Sequence, residues 1–260
     1  MDAPSQKERR ALYLILALYA TALLIYSQTR AFSWDESYHL LAAQLINLGR
    51  KPYIDFCFPQ SPLSAYWNAG LLRLFGPGWR APHAAEALFV TGTVWLAADY
   101  VFAHFPVPRW RFAAAVATCL FTGLNARVFL YGPVAQPYGI SLFAVVLAFR
   151  ISLVAVNRTR AVMAALAGLA AGVAVACSLL TAAAAPVLFG WMLIHNLAGR
   201  KWPKLVAFCV GAAIPFTPVF WLYALGPRQT WFNVIEYHLR YRKLYWPETT
   251  KHDLEILTSW

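Results

Sequence analysis

The run AVMAALAGLAAGVAVACSLLTAAAAPVLFGWMLIHNLAG, residues 161–199, carries no Asp, Glu, Lys or Arg across 39 positions. About 20 apolar residues take a helix across the hydrocarbon core of a bilayer, so this run is long enough for two crossings. Thr181 to Pro186 is the expected break between them. Uncharged stretches at 11–29, 112–126, 128–149 and 205–227 repeat the pattern. An open sheet edge has no solution in lipid, so these runs must form helices. The expected fold class is all-α: a polytopic transmembrane helical bundle forming one membrane domain over 1–260.

Composition agrees. Hydrophobic residues make up 60% of the chain and charged residues 13%, with a mean hydropathy of +0.51. A soluble domain averages about 25% charged residues. The net charge of +11 sits in small clusters between apolar runs rather than along one solvated face, which argues against a nucleic-acid partner. Cys57, Cys119, Cys177 and Cys209 form no CxxC pair, and three of them lie in apolar spans. The first apolar run exceeds a signal-peptide core and lacks a clean small-x-small cleavage site, so it reads as an anchored first helix.

Positive charge sets the expected orientation. Lys7, Arg9 and Arg10 precede the first helix, which puts the N-terminus in the cytoplasm and residue 29 outside. Segment 63–76 decides the rest. If it crosses, the clusters Arg109/Arg111, Arg158/Arg160 and Arg200/Lys201/Lys204 all fall outside; if it lies on the surface, all fall inside. The segment is short and carries Arg73, costly at a bilayer centre, so it reads as an interfacial helix. Seven spans follow, at about 11–28, 83–104, 112–131, 137–156, 161–179, 182–197 and 205–226. The long first loop 29–82, the turn 131–137 and the tail 227–260 lie outside, in a cell membrane of bacterial inner-membrane type. Residues 253–260, DLEILTSW, read as the start of another element, so a longer protein is expected.

Loop 29–82 opens on Trp34-Asp35-Glu36-Ser37-Tyr38-His39. Two readings of its acids stand side by side. Adjacent carboxylates repel and raise each other's pKa, which suits a base or a cation site. Alternatively they begin a helix, with Ser33 or Asp35 as N-cap and the acids in its first turn. Leu40, Leu41, Leu45 and Ile46 then form an apolar stripe fit for a helix on the membrane. His39 lies one helical turn beyond Asp35, so a divalent cation at Asp35 and His39 is the candidate cofactor.

The Asp-Glu pair after the first span, then Pro52-Tyr53-Ile54-Asp55-Phe56, Pro59-Gln60-Ser61-Pro62-Leu63 and a helix ending Leu74-Phe75-Gly76, resembles the GT-C glycosyltransferase superfamily. The similarity is nearest to its protein O-mannosyltransferase-like and lipid A aminoarabinose-transferase-like branches, over about residues 11–160. The resemblance implies a sugar donor on a polyprenyl phosphate, a lipid, glycan or protein acceptor, and chemistry outside the cell. It makes Asp35 the catalytic acid of the first loop and Glu36 its partner. Arg80 and His83 both fit the family's arginine after the interfacial helix. Two departures stand out: Gln60-Ser61 replaces one branch's Glu-Lys, and Gln136 replaces a second acid before a proline.

Among the other polar residues, Asp99 reads as a snorkelling or locally bonded group and Glu86 as lying near the outer end of the same span. The tail interleaves His238, Arg240 and Arg242 with aromatics ending at Trp246. This suits an interfacial anchor or a clamp on a lipid phosphate. A transferase is the leading expectation. A transporter or flippase is the rival, since transporters hold ionisable residues mid-membrane. A non-catalytic subunit is the third, on the strength of Gln136.

Overall fold

A computed structural model describes residues 5–30, 32, 35–245 and 251. Ser33, Trp34, Trp246 and 253–260 lie outside the described residues. Among the described residues there is no β-strand, only an isolated bridge between Pro52 and Phe56.

Helix α1 (Gln6–Thr29) starts at Ser5, whose hydroxyl accepts from the Glu8 backbone N–H at 3.4 Å, half of a capping box. At about 1.5 Å per residue its 24 residues exceed the thickness of a hydrocarbon core. Helix α4 (Arg80–His104), helix α7 (Tyr138–Asn157) and the continuous run Lys201–Leu225 are also long and apolar enough to cross. That run comprises α10 (Lys201–Ala213) and α11 (Thr217–Leu225), joined by a 3₁₀ turn at Pro215. Among the described residues four helices therefore qualify as membrane spans by length and composition.

The stretch read as one span over 112–131 is divided. Helix α5 (Arg111–Gly123) ends, and the Asn125 side chain accepts from the Arg127 and Val128 N–H groups to start the short α6 (Ala126–Tyr131). An Asn inside an apolar run competes for the backbone in this way. The break expected near 181–186 appears as a 3₁₀ turn, Leu179–Thr181, between α8 (Val162–Cys177) and α9 (Ala184–Ile194).

Small residues let the central helices close up. A Cβ on Gly168 of α8 would come within 2.0 Å of the Phe208 carbonyl oxygen of α10, and one on Gly211 within 2.0 Å of Ala165 O. Helix α8 thus packs backbone to backbone on α10, the small-residue contact typical of membrane helices. On its other side α8 packs on α7, and Leu188, Met192, Leu205 and Phe208 fill the space between. A second cluster joins Leu12 and Leu16 of α1 to Val94, Ala98 and Phe102 of α4 and Ala115 of α5.

Helix α7 has a carboxyl group at one end and an amine at the other. Glu86 accepts from the Ile140 N–H at 2.8 Å in the first turn. At the other end Lys204 donates to Ala155 O at 2.9 Å and Asn196 Oδ1 at 2.7 Å. Both groups complement the helix dipole. Asp99 ion-pairs with Arg150 across α4 and α7 at 2.6 Å, which replaces the local role expected of it.

Over the Glu86 end lies a hairpin of α2 (Glu36–Asn47) and α3 (Leu63–Phe75), closed by Leu40, Ala43, Ala69 and Leu72 against Ala135. At 13 residues, or about 20 Å, α3 is too short to cross. Beyond α11 come α12 (Pro227–Trp231), a ten-residue π-helix Phe232–Tyr241, and α13 (Arg242–Tyr245).

Candidate functional site

Asp35 and Glu36 are neighbours that face different surroundings. Asp35 occupies the N-cap position of α2 in αR backbone and makes no capping hydrogen bond, although that was one reading of it. It is exposed, whereas Glu36 is fully buried. Successive residues on a helix point about 100° apart, so the two carboxylates are not held as one repelling pair.

Glu36 meets His83, the 0% exposed residue one turn into α4. His83 Nε2 lies against Glu36 Oε1, and His83 Nδ1 lies 2.7 Å from the Ser27 carbonyl oxygen. A carbonyl can only accept, so Nδ1 carries a proton. Nε2 faces a carboxylate oxygen, so a second proton must sit between Nε2 and Oε1. The pair is therefore imidazolium with carboxylate or imidazole with carboxylic acid, neutral overall in both forms. The same Oε1 accepts from the Ala135 N–H at 3.2 Å, while Ala135 O accepts from Asn68 Nδ2 at 3.4 Å. One buried network thus joins the end of α1, α2, α3, α4 and the turn before α7.

The residues singled out in the sequence gather at this end of the molecule to different degrees. Gln136 is buried beside Ala135, with its N–H turned onto Val134 O. Of the two candidates for one position, His83 enters the network; Arg80 is exposed and lies over the Trp79 ring at 5.6 Å. His39 is buried, edge-on to Phe58 at 5.8 Å. Burial pushes its pKa down to about 4, against the pull of the Asp35 and Glu36 charges. No trio of His, Cys, Asp and Glu able to hold a metal occurs among the described residues. With Glu36 engaged by His83, the Asp35–His39 pair makes no cage for a divalent cation.

The tail folds back over the loop. Asn233 Oδ1 accepts from the Phe58 N–H at 2.9 Å, and Tyr38 donates to Cys57 O at 3.1 Å, fixing 57–58 between α2 and the π-helix. The Tyr53 hydroxyl donates to Gln60 O at 2.7 Å, so Gln60 is held through its backbone. His238 lies within reach of the Pro59 carbonyl, and burial lowers its pKa while the Arg242 charge lowers it further. The charges of Asp35 and Arg242 both reach the phenol of Tyr138, a 40% exposed residue. Arg240 belongs elsewhere, paired with Glu236 on the exposed face at 3.3 Å.

Three contributors carried little sequence signal. Tyr138 follows the Gln136-Pro137 step, and that position was its only mark. Asn233 and Arg150 lie outside every motif, and their roles come from contacts with Phe58 and Asp99.

Comparison of the chain with family models, characterised proteins and solved structures gives no match.

Proposed function

We propose that the chain belongs to an integral membrane glycosyltransferase that moves a sugar from a polyprenyl-phosphate donor to a lipid, glycan or protein acceptor outside the cell. The observation that supports this reading is that the charges of exposed Asp35 and half-buried Arg242 both reach the phenol of Tyr138. An acceptor hydroxyl beside Asp35 would give its proton to that carboxylate while its oxygen bonds to the anomeric carbon. The bond from that carbon to the phosphate oxygen breaks, and its electron pair leaves with the polyprenyl phosphate. Arg242 would hold the departing phosphate by charge-assisted hydrogen bonds, with His238 beside it. The buried Glu36–His83 pair acts as positioning machinery, since it holds α2, and with it Asp35, against α1 and α4.

The GT-C-like bundle, the seven spans and the cytoplasmic N-terminus belong to the same proposal. Among the described residues four helices are long and apolar enough to cross, and the basic residues around Arg158 and Arg200 lie at the α7 end opposite Glu86. The test is transfer of label from a panel of polyprenyl-phosphate sugars by the protein in proteoliposomes, with Asp35→Asn as control. No transfer by the wild type from any of these donors would sink the reading.

A transporter is the second reading, and the Asp99–Arg150 pair between two spans favours it. Substrate-dependent flux across proteoliposomes that Asp99→Asn abolishes and Asp35→Asn spares would favour the transporter.

A further inference from the structure

We infer that the groove between residues 53–57 and the first turns of 228–236 is a binding site for a carbohydrate. It encloses about 610 Å³. Its lining includes two half-buried rings, Phe56 and Phe232, two carboxylates, Asp55 and Glu236, and two donors, Arg228 and Gln229. None of these residues belongs to the constellation around Asp35.

The lining selects the class of ligand. An apolar ligand would strip water from four charged or amide groups without replacing their hydrogen bonds. An anion would meet two carboxylates against one guanidinium, since Arg240 is already drawn to Glu236 at 3.3 Å. A neutral polyhydroxyl ring suits both halves of the surface. Its hydroxyls donate to Asp55 and Glu236 and accept from Arg228 and Gln229, and its C–H faces lie on Phe56 and Phe232. One Asp55 oxygen is occupied by the Lys51 N–H at 2.7 Å, which fixes the carboxylate rather than consuming it.

The walls are also held in place. Asn233 bonds the Phe58 N–H at 2.9 Å and donates to Gln229 O at 2.9 Å, tying one wall to the other. Ile54 fills the space beside Gly226, where a Cβ would lie 2.4 Å from its Cδ1, so the floor is close-packed. A preformed cleft of mixed aromatic and polar lining is what small-ligand recognition uses. Through Phe58 and Pro59 the groove adjoins His238, so a sugar chain bound here would extend toward the site described above.

The inference stands on this lining and is tested by binding alone, so its failure is separate from failure of the transferase reading. The full chain in lipid nanodiscs is titrated with chitotriose, mannotriose and maltotriose, and saturation transfer to the sugar protons is followed by NMR. At least one trisaccharide should bind at millimolar concentration. Phe232→Ala should weaken binding about tenfold, as expected for loss of a ring face. Glu236→Gln should weaken it by a similar factor, about tenfold, because a charge-assisted acceptor becomes neutral. If Phe232→Ala misfolds, Glu236→Gln, whose side chain is partly exposed, decides the matter. Absence of transfer to all three sugars, or transfer undiminished in the folded variants, would overturn the inference.

Discussion

Glu36 and His83 lie 47 residues apart and hydrogen-bond to each other where both are fully shielded from solvent. The Ser27 carbonyl fixes one ring proton, and the carboxylate oxygen requires another. This pair tethers α2 to the membrane helices, reaching from the hairpin to α4 and, through the Ser27 carbonyl, to the end of α1. Breaking a buried pair by removing one partner typically costs about 3–5 kcal/mol. Glu36→Ala and His83→Ala should each lower stability by about that much, and the double variant should cost less than their sum. Glu36→Gln is no remedy, because Ala135 N–H and His83 meet the same oxygen and an amide oxygen satisfies only one of them with neutral histidine. A cycle of unfolding measurements in detergent or nanodiscs checks this. Additive losses would mean that the pair does not act as a unit.

Asp35→Asn should behave in the opposite way. Asp35 makes no capping bond and is exposed, so Asn preserves the helix start at a cost of at most a few tenths of a kcal/mol. General-base catalysis contributes about 10²–10⁴-fold, so transfer should fall by about that factor while folded yield holds. Rate and folded amount are measured together for both variants. Glu36→Gln should lower the folded amount, whereas Asp35→Asn should lower only the rate. An Asp35→Asn protein that keeps more than about a third of wild-type turnover would remove Asp35 from the chemistry.

Much of the architecture was legible because lipid imposes a coarse code. Long apolar stretches with few charges mark helices at 6–29, 80–104, 138–157 and 201–225. Finer structure depends on single polar groups within those runs. Asn125 starts α6 through its own side chain just after α5 has ended, a break that the apolar pattern alone does not place. The Asp-Glu step marked where the site lies but not how its parts divide. Helical rotation sends Glu36 inward and leaves Asp35 out, and the inward partner is set by tertiary packing across 47 residues. Spacing alone could not choose between Arg80 and His83. Packing places His83 beside Trp79 and Glu36 and leaves Arg80 exposed.

His39 makes acid stability a readout of α2. Its pKa falls from 6.5 to about 4 on folding, so between those values the unfolded chain binds a proton that the folded one refuses. The contribution is fully present above pH 6.5 and is lost as the pH falls toward 4, by up to about 3 kcal/mol. Thermal unfolding of wild type and His39→Gln should therefore converge at low pH, the variant losing less stability between neutral and acid buffer. Parallel pH profiles for the two proteins would show that His39 is charged or accessible in the folded state.

The contact between α8 and α10 offers a test of the membrane fold that needs no activity. An alanine in an exposed helix normally gains about 0.4–1 kcal/mol over glycine, by restricting the unfolded chain. At Gly190 a Cβ would meet nothing within 4 Å, so Gly190→Ala should be neutral or mildly stabilising. At Gly168 the same methyl would stand 2.0 Å from the Phe208 carbonyl oxygen, and at Gly211 it would stand 2.0 Å from Ala165 O. Those neighbours are backbone, so relief requires the helices to separate and to surrender the packing of Leu205 and Phe208. Overpacking of this kind costs about 1–3 kcal/mol, and a backbone clash belongs at the upper end. Cys177 is fully buried at the end of α8, so its reaction with a thiol dye reports opening of this region. Gly168→Ala and Gly211→Ala should label Cys177 at a lower temperature than wild type, and Gly190→Ala should not. Equal labelling temperatures for all three variants would mean that α8 and α10 do not meet along these glycines.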